Sequence, residues 1–174
     1  MYIYLLYFLI FSFLGWFAEV LFSLVTKRRL INRGLLFGPV CPIYGIGICL
    51  SKLILGSVVG FIPLMLLSMA IATIVEFMVG VVCERITGKR LWDYRNERGN
   101  ILGYVCPRFS LLWGIVSSIV IITLRRIDGY VALSDTLFTE VALLVILTIL
   151  LIDAGVSLFS DKRKNETINP INDN

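Results

Sequence analysis

The stretch RGLLFGPVCP, Arg33–Pro42, recurs as RGNILGYVCP at Arg98–Pro107. Six of the ten positions are identical in one register, and each copy leads into a long apolar run. An internal repeat of this kind indicates a chain built from two related halves, and in membrane proteins such halves often enclose a central site. The repeat therefore predicts where a site lies and leaves its chemistry open.

The composition is that of an integral membrane protein. Apolar residues make up 58% of the 174 residues and charged residues only 16%, and the mean hydropathy is +0.90. An ordinary soluble domain carries about 25% charged residues, so this apolar excess is larger than a single core could bury. The net charge of +4 comes from basic residues beside apolar runs. These favour roles in topology and in lipid contact, and not a nucleic-acid partner.

Five apolar runs reach the length of about 20 residues that a helix needs to cross the hydrocarbon core. They lie near residues 2–25, 35–54, 58–82, 101–124 and 138–160. We therefore expect an all-α, polytopic membrane helix bundle over residues 1–160. Because no basic residue precedes the first run, it is expected to be a retained span and not a cleaved signal. The polar residues 161–174 are expected to form a disordered cytoplasmic tail.

The basic residues predict the orientation of the spans. Twelve of the 16 lie in the first connection, the third connection and the tail, whereas the opposite connections hold only Lys52, Arg125 and Arg126. By the positive-inside rule the twelve face the cytoplasm of a plasma membrane, with the N-terminus outside and the C-terminus inside. Spans one–two and three–four then form two like-oriented repeats, and span five is extra.

Glycine and proline are concentrated where each repeat enters its span. Proline removes a backbone donor and clashes with the preceding helical turn, and irregular backbone at membrane depth requires a protein or cavity environment. Two interpretations stay open: a broken helix that lines a polar pocket, or a kinked helix with small residues for tight packing. The expected structural or hinge residues are Gly34, Gly38, Pro39, Pro42, Gly45, Gly99, Gly103 and Pro107.

Glu19 and Glu76 lie inside apolar runs, in the first span of each repeat. A carboxylate in the membrane costs at least about 2.5–3.5 kcal/mol by insertion scales, so it normally faces a partner or a water-filled cavity. Arg33, Arg98 and Arg108 are the expected partners. Structural ion pairs and a functional site are equally consistent with this pattern.

Arg108 breaks the symmetry of the repeat, because the first copy has Ile43 at the same position. An arginine inside a span requires a carboxylate or an anionic ligand. Asp153 in span five is the third intramembrane acid. It could pair with Arg108 or make a hydrogen bond between helices.

Several classes of site are disfavoured. The chain has no histidine, and its four cysteines, including the equivalent Cys41 and Cys106, show no Cys-x-x-Cys spacing. A zinc site, a histidine-ligated haem and histidine acid–base catalysis are therefore not expected, and we predict neither a metal nor a cofactor. No phosphate-binding loop occurs, so an ATP-driven role requires a separate ATPase subunit.

Several motifs resemble those of a family of small bacterial membrane proteins, the ABC-transporter type IV or CmpB-like permeases. The resemblance runs from about Phe11 to Gly114 and rests on specific runs. These are Phe13-Leu14-Gly15-Trp16 with Glu19, Asn32-Arg33-Gly34, Gly38-Pro39, Cys41-Pro42-Ile43-Tyr44-Gly45, Glu76, Trp92-Asp93-Tyr94, Asn100 with Gly103, and Ser110 with Trp113-Gly114. The resemblance implies a permease and implies no particular mechanism.

The favoured interpretation is a permease-like transport subunit that binds a polar or anionic solute, or a lipid head group, between its repeats. Besides the bilayer, it would have an ATPase subunit or further copies of itself as partners. The alternative is a membrane enzyme, accessory protein or scaffold in lipid or envelope metabolism, and of the two an enzymatic role is less favoured. No catalytic residue is assigned. The candidate binding residues are Glu19, Asn32, Arg33, Tyr44, Glu76, Asp93, Arg98, Asn100 and Arg108.

Overall fold

A computed structural model describes residues 2–27, 36–88, 90–132 and 136–168. They form five α-helices: α1 Tyr2–Lys27, α2 Pro42–Leu55, α3 Phe61–Thr87, α4 Pro107–Ala132 and α5 Leu137–Ile168. Four of these helices are long and apolar enough to cross a membrane, and α2 is a shorter apolar helix of 14 residues. The expected all-helical membrane bundle is confirmed.

The prolines that close the two repeats begin helices and do not kink them. α2 starts at Pro42 and α4 at Pro107, whereas the apolar runs predicted helix from residues 35 and 101. Cys41 is extended, with φ −126° and ψ 92°, because a residue before proline avoids the α region. Proline itself suits the first helical position. The segment Leu36–Cys41 is non-helical, so the interpretation of span two as one kinked helix is wrong.

Three helices end at least five residues later than the sequence predicted, and α4 is one of them, since it ends at Ala132 and not near residue 124. α3 continues to Thr87 and stops at Gly88, whose φ of 69° is left-handed and whose N–H donates to the Glu84 carbonyl at 2.8 Å. Glycine adopts this C-terminal conformation without a Cβ penalty. The backbone of α5 continues to Ile168, into the stretch that was expected to be a disordered tail. Residues 169–174 of that tail lie outside the described residues.

Neighbouring helices pack as pairs, α1 on α2 and α3 on α4, while α2 also contacts α3 and α5 lies against α1 and α3. Glycines allow the close approach within each pair. A Cβ on Gly45 would lie 2.5 Å from the Phe8 carbonyl oxygen, and one on Gly114 would lie 2.9 Å from the Met65 carbonyl oxygen. Small residues at such crossings let backbones approach closely, which is how helices associate in lipid.

A polar cluster joins three helices at the end of the bundle away from the repeats. The buried Lys52 ammonium donates to Asp128 at 2.5 Å, and the Tyr7 hydroxyl donates to the other oxygen of the same carboxylate at 2.8 Å. Arg125 donates to the Leu55 carbonyl at 2.6 Å. Since each of these charges has a close partner, the cluster has the character of a structural link between α1, α2 and α4.

Candidate functional site: a carboxylate–aromatic cluster between the helix pairs

Glu19 on α1 is held by a tyrosine of α2. The Tyr44 hydroxyl donates to Glu19 Oε1 at 2.6 Å. One turn before the acid, a Cβ on Gly15 would lie 2.3 Å from the Tyr44 ring. Glycine at this position therefore makes the room in which the ring reaches the carboxylate. Glu19 and Tyr44, both predicted site residues, are brought together.

Glu76 is the buried acid of α3, with only 6% of its surface exposed. The Tyr94 hydroxyl donates to its Oε1 at 2.9 Å, and the Tyr94 ring stacks on Phe109 with centroids 4.8 Å apart. The indole of Trp113 lies close enough to interact with this carboxylate. Even so, the buried Oε2 has no hydrogen-bond partner in the described part of the chain. Buried polar atoms are nearly always paired, so this oxygen requires an explanation.

The two acids belong to one group of side chains. Glu19 lies close enough to Glu76 to interact with it electrostatically, and Tyr44 is similarly close to Tyr94. The Trp113 ring meets the Tyr44 ring edge-on at 5.3 Å between centroids. We call Glu19, Tyr44, Glu76, Tyr94 and Trp113 the carboxylate–aromatic cluster. It lies where α1, α2, α3, α4 and the segment before α4 meet.

Arg98 and Arg108 occupy other places. The Arg108 side chain is 77% exposed and pairs with Glu97 at 3.6 Å, and Arg98 is exposed. Asp153 instead accepts the backbone N–H groups of the Leu36–Cys41 segment, at 2.8 Å from Gly38 and 3.2 Å from Phe37. The pairing of Arg108 with Asp153 is therefore wrong, and Glu76 forms no ion pair among the residues that the structure describes. Asn32, Arg33 and Gly34 lie outside the described residues.

Tyr94 is delivered by the segment between α3 and α4, residues 88–106, which we call the connector; of its residues, Lys89 is not described. Arg90 organises it. Its guanidinium donates to Glu84 at 3.0 Å and to the Leu102 carbonyl at 2.9 Å, and lies 4.6 Å from the centre of the Tyr104 ring. The Tyr104 hydroxyl donates to the second Glu84 oxygen at 2.5 Å. An ion pair and a cation–π contact therefore fix the connector on the end of α3.

Two predicted binding residues of the connector take part in its own turns. Asp93 accepts from the Arg95 guanidinium at 2.8 Å and from the Arg95 backbone at 3.0 Å, and these hydrogen bonds lower the pKa of Asp93 to about 2. Asn100 accepts from the backbone of Gly103 at 3.0 Å and donates to the Glu97 carbonyl at 2.8 Å. Gly103 itself has a left-handed φ of 77°, which explains the need for glycine there.

Sequence reasoning missed Glu84. Gly15-x-x-x-Glu19 and Gly80-x-x-x-Glu84 stand as far apart along the chain as the two Arg-Gly repeats do. The contacts follow this register, because a Cβ on Gly80 would lie 2.9 Å from the Tyr104 ring. Glu84, and not Glu76, is therefore the positional counterpart of Glu19. Extending the repeat register backwards through Gly15 would have found it.

Comparison with known proteins places this architecture in a family. No curated protein and no solved structure matches the chain. Residues 6–158 match the family described as "Putative ABC-transporter type IV". That match spans most of the chain and includes the whole carboxylate–aromatic cluster, and the chain belongs to this ABC-transporter type IV family.

Proposed function

We propose that the protein is the membrane subunit of a transport system, and that the carboxylate–aromatic cluster is its binding site for a solute or a lipid head group. Family membership supports a component of ABC type. The observation that carries the proposal is Glu76, a buried carboxylate whose Oε2 lacks a partner where the helix pairs meet. An ionisable residue inside a membrane helix marks a ligand or ion pathway more often than a structural feature.

Energy for transport would come from a second subunit. The sequence has no Gly-x-x-x-x-Gly-Lys-Ser/Thr loop for ATP, so an ATPase must associate with this chain. The basic residues of the connector include Arg90, Arg95 and Arg98, and by the positive-inside rule they face the cytoplasm of the plasma membrane. This orientation puts the N-terminus outside and brings the entrance to the cluster to the side where a cytoplasmic ATPase would dock.

The two non-helical segments supply the moving parts in this proposal. Leu36–Cys41 and the connector each lead into a helix that begins with proline and that contributes to the cluster. Residues before a helix can absorb large changes in backbone angle during opening and closing. Gly99 and Gly103, at φ 70° and 77°, are the expected hinge positions of the connector.

Purification of the tagged chain from its native membranes in mild detergent tests the proposal. We expect an ATPase with a phosphate-binding loop to co-purify, and its activity in nanodiscs to fall at least tenfold with Glu76→Gln while the complex stays assembled. Glu140→Gln is the matched control, because Glu140 is an exposed acid in the first turn of α5.

Recovery of the chain without an ATPase would contradict the transport proposal. The alternative role in lipid or envelope metabolism then has its own test. A deletion strain would show altered lipid composition that the wild-type chain restores and the Glu76→Gln variant does not.

A further inference from the structure

We infer that the ligand of the carboxylate–aromatic cluster carries an ammonium group and is not an anion. This inference rests on the proposed function for the location of the site and adds the chemical class of the ligand. The same chemistry is presented by a free alkylammonium solute and by the ethanolamine head group of a phospholipid.

The charge of the cluster supports a cation. Glu76 has no ion pair within the described ranges, and the contact that holds its Oε1 comes from a neutral tyrosine hydroxyl. An uncompensated carboxylate away from water is strongly unfavourable, and an anionic ligand would add repulsion from Glu76. A cationic ligand removes both problems.

The free atom of the cluster also specifies a donor. A carboxylate accepts hydrogen bonds and donates none, while an ammonium group donates as many as three. Glu76 Oε2 is buried and unpaired among the described residues. An ammonium nitrogen placed beside it would satisfy this oxygen and neutralise the charge in one contact.

Aromatic rings complete the recognition. Tyr44, Tyr94 and Trp113 surround the acids, and ammonium groups bind to the faces of such rings by cation–π attraction. Within the described ranges, no group of three acidic or cysteine side chains could hold a metal ion. A buried acid beside three aromatic rings therefore suits an organic cation better than a divalent metal.

Entry of the ligand requires the connector to move. The Tyr94 ring fills the centre of the cluster between Glu76 and Phe109. A groove of about 450 Å³ lies elsewhere, between α1, α2 and α5, and its lining is almost wholly apolar, which does not suit a charged ligand. We expect the connector, which carries the Tyr94 ring, to move aside for entry, and the ammonium group to reach the unpaired Glu76 Oε2 while the Tyr94 hydroxyl keeps Oε1.

The test uses the full chain in dodecyl maltoside, a detergent without charge. Methylammonium and tetramethylammonium chloride are titrated against tryptophan fluorescence and thermal unfolding at constant ionic strength, with sodium acetate as the anion probe. We expect saturable binding of the ammonium salts alone. The Glu76→Gln variant should weaken that binding at least tenfold, Trp113→Phe should weaken it several-fold, and Glu140→Gln should leave it unchanged.

Methylammonium binding in nanodiscs of two lipids shows whether the natural ammonium group belongs to a lipid head group or to a free amine. If phosphatidylethanolamine nanodiscs suppress methylammonium binding relative to phosphatidylglycerol nanodiscs, the natural ligand is a lipid head group. If the two lipids give the same affinity, it is a free amine. In either case the Glu76→Gln variant should bind methylammonium at least tenfold more weakly than the wild type in phosphatidylglycerol nanodiscs.

Saturable binding of acetate in place of methylammonium would overturn the inference, and so would ammonium binding that survives Glu76→Gln. If the Glu76→Gln variant does not fold, the Trp113→Phe variant and the comparison of ammonium salts with acetate on the wild-type protein still test the inference. Co-purification of an ATPase is independent of these measurements. If the chain co-purifies with an ATPase but binds acetate, the proposed transport function stands and this inference fails. If it binds ammonium salts but no ATPase co-purifies, this inference stands and the transport function fails.

Discussion

The two segments that precede α2 and α4 have related sequences but are held by different partners. Leu36–Cys41 is held by other helices: Asp153 of α5 accepts two of its N–H groups, and the Cys41 N–H donates to the Ser12 carbonyl of α1 at 2.8 Å. The connector is held by the acids of α3, which accept from Arg90, Tyr94 and Tyr104, and by its own turn at Asn100. The same helix start is therefore stabilised once by α1 and α5, and once by α3 together with local hydrogen bonds.

The acids show a second difference. Glu19 and Glu84 are matched acids, each bound by a tyrosine hydroxyl and each with a glycine one turn before it to accept the ring. The two tyrosines, Tyr44 and Tyr104, occupy different positions of the repeat. Glu76 has no counterpart, because the equivalent position of the first half is Phe11. The duplicated acids thus describe the architecture, while the acid that is present once marks the proposed site.

Phe109 explains how the second half accommodates this extra acid. It occupies the repeat position of Tyr44 but lacks the hydroxyl. Its ring instead supports Tyr94, which brings a hydroxyl to Glu76 from the connector. The connector therefore has a specific use, which is to supply the hydroxyl donor that Phe109 lacks.

The largest expected effect on stability comes from adding a methyl group to the two glycines that accept tyrosine rings, Gly15 and Gly80. We expect Gly15→Ala to destabilise the protein by about 3 kcal/mol and Gly80→Ala by about 1 kcal/mol, within the range for overpacked cores. The order follows from the added Cβ, which would lie 2.3 Å from the Tyr44 ring but 2.9 Å from the Tyr104 ring. Unfolding of both variants in the same detergent measures the difference, and equal losses would contradict it.

The Asp153→Asn substitution should loosen only the first segment. An amide oxygen cannot replace both carboxylate oxygens, so one charge-assisted bond to Phe37 or Gly38 is lost, at a cost of about 1–2 kcal/mol. Hydrogen exchange should become faster at these two amides and stay unchanged in the connector. Glu140→Gln on the same helix is the control. Faster exchange in both segments would show that α5 supports the whole site.

The Arg90→Lys substitution is the converse experiment. Lysine keeps the charge but not the planar fork that reaches Glu84 and Leu102 together. We expect a loss of about 1 kcal/mol, typical for one hydrogen bond, and faster exchange at Tyr94 and Tyr104. Leu36–Cys41 should keep its wild-type rates, and a change there would contradict independent support of the two segments.

Composition and the length of the apolar runs were sufficient to predict the helical membrane bundle, because apolar runs of this length have few other uses. They could not locate the helix starts. Pro42 and Pro107 lie inside apolar runs, and hydropathy does not distinguish a proline that kinks a helix from one that begins it. The structure decides between them, because both helices begin at these prolines and Cys41 is extended.

The candidate site was predicted in part. Glu19 and Glu76 were chosen because carboxylates are costly in lipid, whereas Tyr44 stands in a motif of the family resemblance. These three do meet in one cluster. The arginines were expected beside the acids on grounds of charge alone. That reasoning failed for Arg108, because Glu97 lies nearer to it at the exposed end of α4, and one sequence does not show which opposite charge is nearest in space.

The smallest expected effect is a pH dependence confined to the connector. Arg95 holds the pKa of Asp93 at about 2, below the value of about 3.9 for an unfolded aspartate. The contribution of this pair is thus fully present above about pH 4 and is lost as the pH falls towards 2. Because the pair is exposed, the loss should appear in local opening and not in global unfolding. Exchange at the Arg95 amide, which donates to Asp93 at 3.0 Å, should accelerate relative to its intrinsic rate over this range.

The Asp93→Asn variant should show no such dependence. Equal acid sensitivity in the variant would assign the effect to Glu84 or Glu97, the other acids that contact connector arginines or Arg108.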